Sequence, residues 1–285
     1  MTTSASTVAG RSRPLQWERV AGNVYFELTR VFNEHGPIVA LASGQAVVHY
    51  RVAIMSKDGD WVIRERDDAC ARVLDVLAAR GASYRPGAPL DTRWLAGGWS
   101  SHFEYADERK RRIRCDFFSR PPRVDPEAIN RLFASPPDPF LVVDLESLIR
   151  MKRTQRAKDY AVIGELASRL PADKELQFTT DPDRLLQLAP AFGGGLRRDA
   201  VRAAATGDRD AVIVALAREQ DRQQRADRAR LEAYAEAAVP YIEAFSRLSP
   251  EDRRLRHGHE RVAALADQLL PLTIALPEGS DVDAQ

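Results

Sequence analysis

Three aspartates carry the chemistry that this chain can be read for. Asp58 and Asp60 lie in Ser56-Lys57-Asp58-Gly59-Asp60-Trp61-Val62-Ile63, and Asp116 lies in Ile113-Arg114-Cys115-Asp116-Phe117-Phe118. Each run reads as a strand or its entrance, and a period of two puts Asp58 and Asp60 on one face. Neighbouring carboxylates repel and cost desolvation unless a cation lies between them. Three converging carboxylates suit Mg²⁺ or Mn²⁺, which take a few acidic oxygens and complete their shell with water and phosphates. The chemistry implied is phosphoryl or nucleotidyl transfer. Asp-Gly-Asp also suits a solvated turn, so the flanking residues must decide.

Upstream, Ile38 to Ala42 reads as a buried strand that breaks at Ser43-Gly44 and continues into a short helical segment. A glycine at such a turn lets backbone N–H groups approach a phosphate. A glycine turn, Asp-x-Asp on the next strand and a single Asp on a later one resembles the nucleotidyltransferase superfamily. The local match is to the bacterial branch that includes the toxins of abortive-infection systems. It rests on Ser43-Gly44-Gln45-Ala46, Arg51, Ser56-Lys57-Asp58-Gly59-Asp60, Cys115-Asp116-Phe117-Phe118 and a later basic segment holding Lys152 and Lys158-Asp159, spanning roughly residues 36 to 167. Three positions depart from the branch pattern. Ser43 stands for a glycine, Gly59 for an apolar residue, and Val162 for a second Asp.

The resemblance implies an α+β fold, a small mixed β-sheet flanked by helices, followed by a C-terminal α-helical region. It implies Mg²⁺-dependent transfer of a nucleoside monophosphate from an NTP to a hydroxyl on RNA, protein or a small molecule. Asp58, Asp60 and Asp116 would hold the metals and serve catalysis. Ser43 and Gly44 would bind the triphosphate, with Lys152, Lys158 and Asp159 completing the nucleotide site. Two alternatives stay open: a degenerate member of the fold that binds without turnover, and a toxin acting on tRNA with an antitoxin-type protein partner.

Composition sets the outer bounds. The chain has 285 residues, 44% hydrophobic and 29% charged, enough for one large domain or two modest ones. Its 42 basic and 41 acidic side chains leave a net charge of +1, so no global field draws it to nucleic acid or membrane. Cys70 and Cys115 have no metal-ligand spacing and read as buried thiols of a reducing compartment. There is no apolar run of membrane-spanning length and no signal-peptide core, so a cytoplasmic location without membrane contact is expected.

The expected organisation is a disordered tail over 1–14, a nucleotidyltransferase-like domain over 15–172, a helical region over 173–275 and an acidic tail over 276–285. Apolar spacing predicts a first helix from Leu15 to Glu34 and another over 66–80. Residues 90 to 118 read as a sheet edge with a hairpin through Ala106–Lys110, and Phe140 to Val143 as a short strand. Asp144 is the expected N-cap of a helix to Lys152, with a second helix at about 156–170. Arg150 and Arg153 read as a solvated helix face. The stretch 208 to 248, polar between Arg218 and Arg230, reads as a projecting helix or a linked pair. Gly193-Gly194-Gly195 is expected to be a flexible turn and His257-Gly258-His259 a surface loop. His35, His49 and His102 show no nucleophile–base arrangement, and Trp61 is expected to pack in the core, opposite Asp60.

Overall fold

The computed structural model describes residues 22–134 and 140–277. The expected tail at 1–14, the start of the first predicted helix, Trp17 and residues 278–285 lie outside them.

In chain order the elements begin with α1 (Val24–Phe32), β1 (Val39–Leu41), α2 (Ser43–His49), β2 (Gly59–Ile63) and α3 (Asp67–Ala78). Then follow β3 (Ser83–Tyr84), α4 (Thr92–Ala96), β4 (Ser101–Ala106), β5 (Arg112–Phe118) and α5 (Pro126–Ala134). The remainder is helical: α6 (Leu145–Met151), α7 (Lys158–Ala167), α8 (Ala172–Phe178), α9 (Pro182–Phe192), α10 (Asp199–Ala204), α11 (Arg209–Ser246) and α12 (Leu255–Leu269). The fold is α+β, a mixed sheet flanked by helices and followed by a helical C-terminal region. Among the described residues no helix is long and apolar enough to cross a membrane.

The five strands are ordered β1-β2-β5-β4-β3, with β2 and β5 parallel and the other pairs antiparallel. The hairpin β4–β5 forms as its sequence predicts, but not at a sheet edge. β5 is interior because its free side takes β2 as a parallel neighbour, and the edges fall to β1 and β3. The expected strand at Phe140 to Val143 reduces to one bridge, Leu41 to Val142. Leu41 N donates to Leu141 O at 2.8 Å and Val143 N to Leu41 O at 3.0 Å. Pairing stops there because the chain turns at Asp144, whose carboxylate caps α6 by accepting from Ser147 N.

Alternation along β2 and β5 divides the sheet into two unlike faces. Trp61, Cys115 and Phe117 point into the main core with Phe32 and Phe103, and Trp61 stacks on Phe117 at 5.2 Å. The Trp61 indole N–H finds Thr29 Oγ1 at 2.8 Å, which satisfies its polar atom in a fully buried setting. Trp61 therefore packs on the face opposite Asp60. α12 and the end of α11 close the same core through Tyr241, Phe245, Leu255 and Val262. On the other face Ala40, Ala42 and Val62 are covered by α2, α6 and α7, leaving the polar positions of β2, β4 and β5 uncovered beside them.

Several C-terminal expectations change in detail. α11 is one continuous helix of 38 residues, not a linked pair. The helix predicted at 66–80 spans Asp67–Ala78. His257, Gly258 and His259 belong to the first turns of α12, where His259 Nδ1 meets the buried Tyr84 hydroxyl at 2.8 Å. That bond draws the segment inward, so it is no surface loop. Arg153 is also no solvated side chain: it is buried, with its guanidinium 5.3 Å from the Phe178 ring centre. Both cysteines are free and buried, and burial pushes the Cys70 thiol up to about 12.

Candidate functional site

Strand register brings the carboxylates together. Asp60 on β2 is the direct partner of Asp116 on β5, and Asp116 that of His102 on β4. Adjacent strands lie roughly 5 Å apart, so one polar row crosses three strands on the uncovered face. Arg114 and Glu104 are paired in the next row, and Asp58 enters it from the loop before β2, with Arg114 Nη1 at 3.5 Å from its Oδ1.

Asp60 is the electrostatic centre. Burial, then the charge of Asp116, pushes its carboxyl up to about 6, with Asp58 adding to the rise. Lys152 and a hydrogen bond from the Ser43 hydroxyl oppose it. Five residues expected at the site from the sequence, Ser43, Asp58, Asp60, Asp116 and Lys152, therefore lie within electrostatic reach of one another. Lys152 is buried, and burial lowers its pKa against the pull of Asp159, whose Oδ1 lies 3.9 Å from its ammonium. Asp159 is in turn held by Thr154 Oγ1 at 2.6 Å and Arg156 Nε at 2.9 Å. Lys152 and Asp159 thus meet across a break between α6 and α7, not along one helix. Lys158 is exposed at the start of α7.

The departures from the family pattern find physical reasons here. Ser43 sits at φ 48°, the left-handed region where glycine is at ease, and its hydroxyl is committed to Asp60. Gly44 abuts Ser56, since a Cβ there would collide with the Ser56 hydroxyl. Gly59 lies beneath two rings: an added Cβ would collide with Tyr25 Cδ1 and come within 2.5 Å of Trp61 Cη2. Tyr25 covers this point while its hydroxyl donates to Lys57 O at 2.5 Å. Gln45, also buried, donates to Ser56 O at 2.9 Å. Together they fix the loop that presents Asp58. Gly59→Ala is accordingly expected to destabilise the fold by about 1–3 kcal/mol, as overpacking does, and urea denaturation measures it. An unchanged midpoint would remove this account of Gly59.

Sequence reasoning missed three site residues. Arg85 Nη1 lies 3.0 Å from Asp116 Oδ1, His102 Nδ1 lies 3.0 Å from the same oxygen, and Arg114 engages Asp58. His102 had a legible signal: counting back from the hairpin loop, where Ala106 faces Arg112, pairs it with Asp116. His49 lies instead among Phe26, Tyr50 and Phe140, a packing position.

Among the described residues no group of three His, Cys, Asp or Glu is already gathered as a metal cage. The cationic partners explain this, because Arg114 takes Asp58 while Arg85 and His102 take Asp116. The donor set nonetheless fits a hard divalent cation. Asp60 and Asp116 are side-by-side carboxylates, the former held partly neutral by the latter, and Asp58 is half-exposed on its loop.

No protein-family model matches the chain, and no curated protein matches it in sequence. Two solved structures are similar in three dimensions. JHP933 from Helicobacter pylori matches at 13% identity with a TM-score of 0.37, over 75% of this chain and 95% of that one. A candidate nucleotidyltransferase from H. pylori matches at 13% identity with a TM-score of 0.36, over 72% and 95%. Similarity at that level leaves the chemistry of this chain to its own residues.

Proposed function

We propose that the protein is a Mg²⁺-dependent nucleotidyltransferase that moves a nucleoside monophosphate from an NTP to a hydroxyl acceptor. The observation that carries this reading is the in-register pair Asp60–Asp116 with Lys152 beside it, two carboxylates and one cation converging on an open sheet face. A divalent ion bound there would supply charge neutralisation for the phosphates and activation of the attacking hydroxyl. Asp60 and Asp116 would hold it, with Asp58 turning from Arg114 to join them. Ser43 keeps Asp60 oriented through its hydroxyl, and Gly44 lets the following loop close against α2. Lys152 would face the triphosphate with its charge held in place by Asp159. RNA, protein and small-molecule hydroxyls are the acceptor classes to be compared.

One observation favours a second reading, a nucleotide-binding protein without turnover. Arg114, Arg85 and His102 already occupy the carboxylates that a metal would need. Incubation with each labelled NTP, Mg²⁺ and total cellular RNA or protein separates the two, with mass analysis of the labelled product. A labelled macromolecule or small product is expected. NTP binding without any label would establish the second reading.

Lys152→Ala tests the phosphate role directly. A charge-assisted bond to phosphate contributes roughly 1.5–3 kcal/mol, so NTP affinity should fall about 10- to 150-fold while Mg²⁺ binding persists. Calorimetric titration with a nonhydrolysable NTP reads this. Unchanged affinity would remove Lys152 from the nucleotide site.

A further inference from the structure

A cleft of about 550 Å³ opens among α7, α8, α9 and the first half of α11, and none of the three aspartates lines it. Its walls carry five arginines, Arg150, Arg153, Arg197, Arg198 and Arg222, against two carboxylates, Asp199 and Glu219. An excess of three positive charges is thus concentrated in one cavity of a chain whose net charge is +1.

The carboxylates orient the wall without neutralising it. Glu219 lies 2.9 Å from Arg198 Nε, and Asp199 lies 2.8 Å from Arg222 Nη2. Arg150 and Arg153 both lie over the Phe178 ring, at 5.1 and 5.3 Å from its centre. Contact with an aromatic face engages the flat side of a guanidinium and leaves in-plane N–H groups to bond elsewhere. Arg153 uses one of them on Gln177 O at 3.4 Å. Arg197 is exposed and makes no ion pair among the described residues.

The forks come from α6, the turn after it, the loop before α10 and α11. A planar dicarboxylate satisfies two such forks, whereas linked tetrahedral phosphates present oxygens in several directions. The volume falls within the range of about 300–1,000 Å³ usual for small-molecule sites. We propose that this cleft is a second, metal-independent site for a small polyphosphate, either free pyrophosphate or the phosphate chain of a nucleotide.

Thermal unfolding of the full chain in EDTA at low salt tests it, with sodium pyrophosphate, ATP, AMP, and sulfate at matched ionic strength as probes. A ligand that binds only the folded state raises the midpoint saturably. Pyrophosphate is expected to do so, and AMP and sulfate are not. ATP matching pyrophosphate identifies a nucleotide's chain as the source; pyrophosphate alone identifies the free ion. Arg197→Gln, an exposed change that spares the fold, should weaken binding about tenfold, and Arg153→Gln at least as much. Asp60→Asn should leave it intact. The proposal falls if pyrophosphate gives no saturable rise, if sulfate equals it, or if the Arg153→Gln/Arg197→Gln double variant retains it. Loss in Asp60→Asn would move the site to the carboxylates and also overturn it. Every probe is metal-free, so failure here leaves the Mg²⁺-dependent transfer assay untouched.

Discussion

Asp60→Asn is expected to make the metal-free protein more stable at neutral pH, by an amount that depends on pH in a defined way. The Asp60 carboxyl is pushed from 3.8 up to about 6 in the folded chain. Below about pH 4 it is protonated folded and unfolded, and the variant should match the parent. As pH rises from 4 to 6 the unfolded state ionises first, so the parent loses stability that the asparagine variant keeps. Above about pH 6 the difference levels off, on the order of 3 kcal/mol. Urea denaturation in EDTA at pH 4, 5, 6 and 8 measures this window. Mg²⁺ should raise the melting midpoint of the parent and not of the variant, because the cation relieves the repulsion that the variant lacks. Transfer activity should fall to background in the variant. An asparagine variant less stable than the parent at pH 8 in EDTA would instead make Asp60 a structural acceptor for the Ser43 hydroxyl.

The site was legible where period and local signals sufficed. Alternation placed Asp116 and Phe118 on one face and Cys115 and Phe117 on the other, and it put Trp61 opposite Asp60. Turn residues marked the β4–β5 hairpin, and Asp144 announced α6. What remained hidden depends on long-range pairing. No local pattern states that β5 will take β2 as a parallel neighbour across α3, β3, α4 and β4, yet that choice makes Asp60 and Asp116 partners. Arg85, Arg114 and His102 reach the carboxylates only through the same sheet order. Gly59 looked like a departure from a pattern because the ring that fills its place, Tyr25, comes from α1. A glycine in sequence does not say which ring will cover it.

The polar middle of α11 was equally opaque, and Asp227 shows why. A run from Arg218 to Arg230 with almost no apolar residue reads as a solvated face, yet Asp227 within it is almost wholly buried. Its carboxylate accepts from Arg123 Nη1 at 3.3 Å, Arg230 Nη2 at 3.2 Å and the backbone N–H of Gln155 at 3.0 Å. Arg123 also donates from Nε to Arg150 O at 3.4 Å. The pair therefore grips both ends of the turn between α6 and α7, the turn that carries Lys152 toward Asp60.

Asp227→Ala is expected to cost about 3–5 kcal/mol, because it strands a buried guanidinium as well as a backbone donor. Asp227→Asn keeps an acceptor and the shape, and should cost less. Arg123→Ala leaves the opposite charge buried, and the double variant should be far less destabilised than the sum of the single ones. Urea denaturation of the four proteins measures the coupling. A cost near 0.5 kcal/mol for Asp227→Ala, the level of ordinary surface changes, would show that α11 merely passes the turn. If the clamp holds, amide exchange at Gln155 should accelerate in Asp227→Asn while the strand amides of β2 and β5 stay protected. That pattern would make the long helix the part of the fold that sets where Lys152 stands.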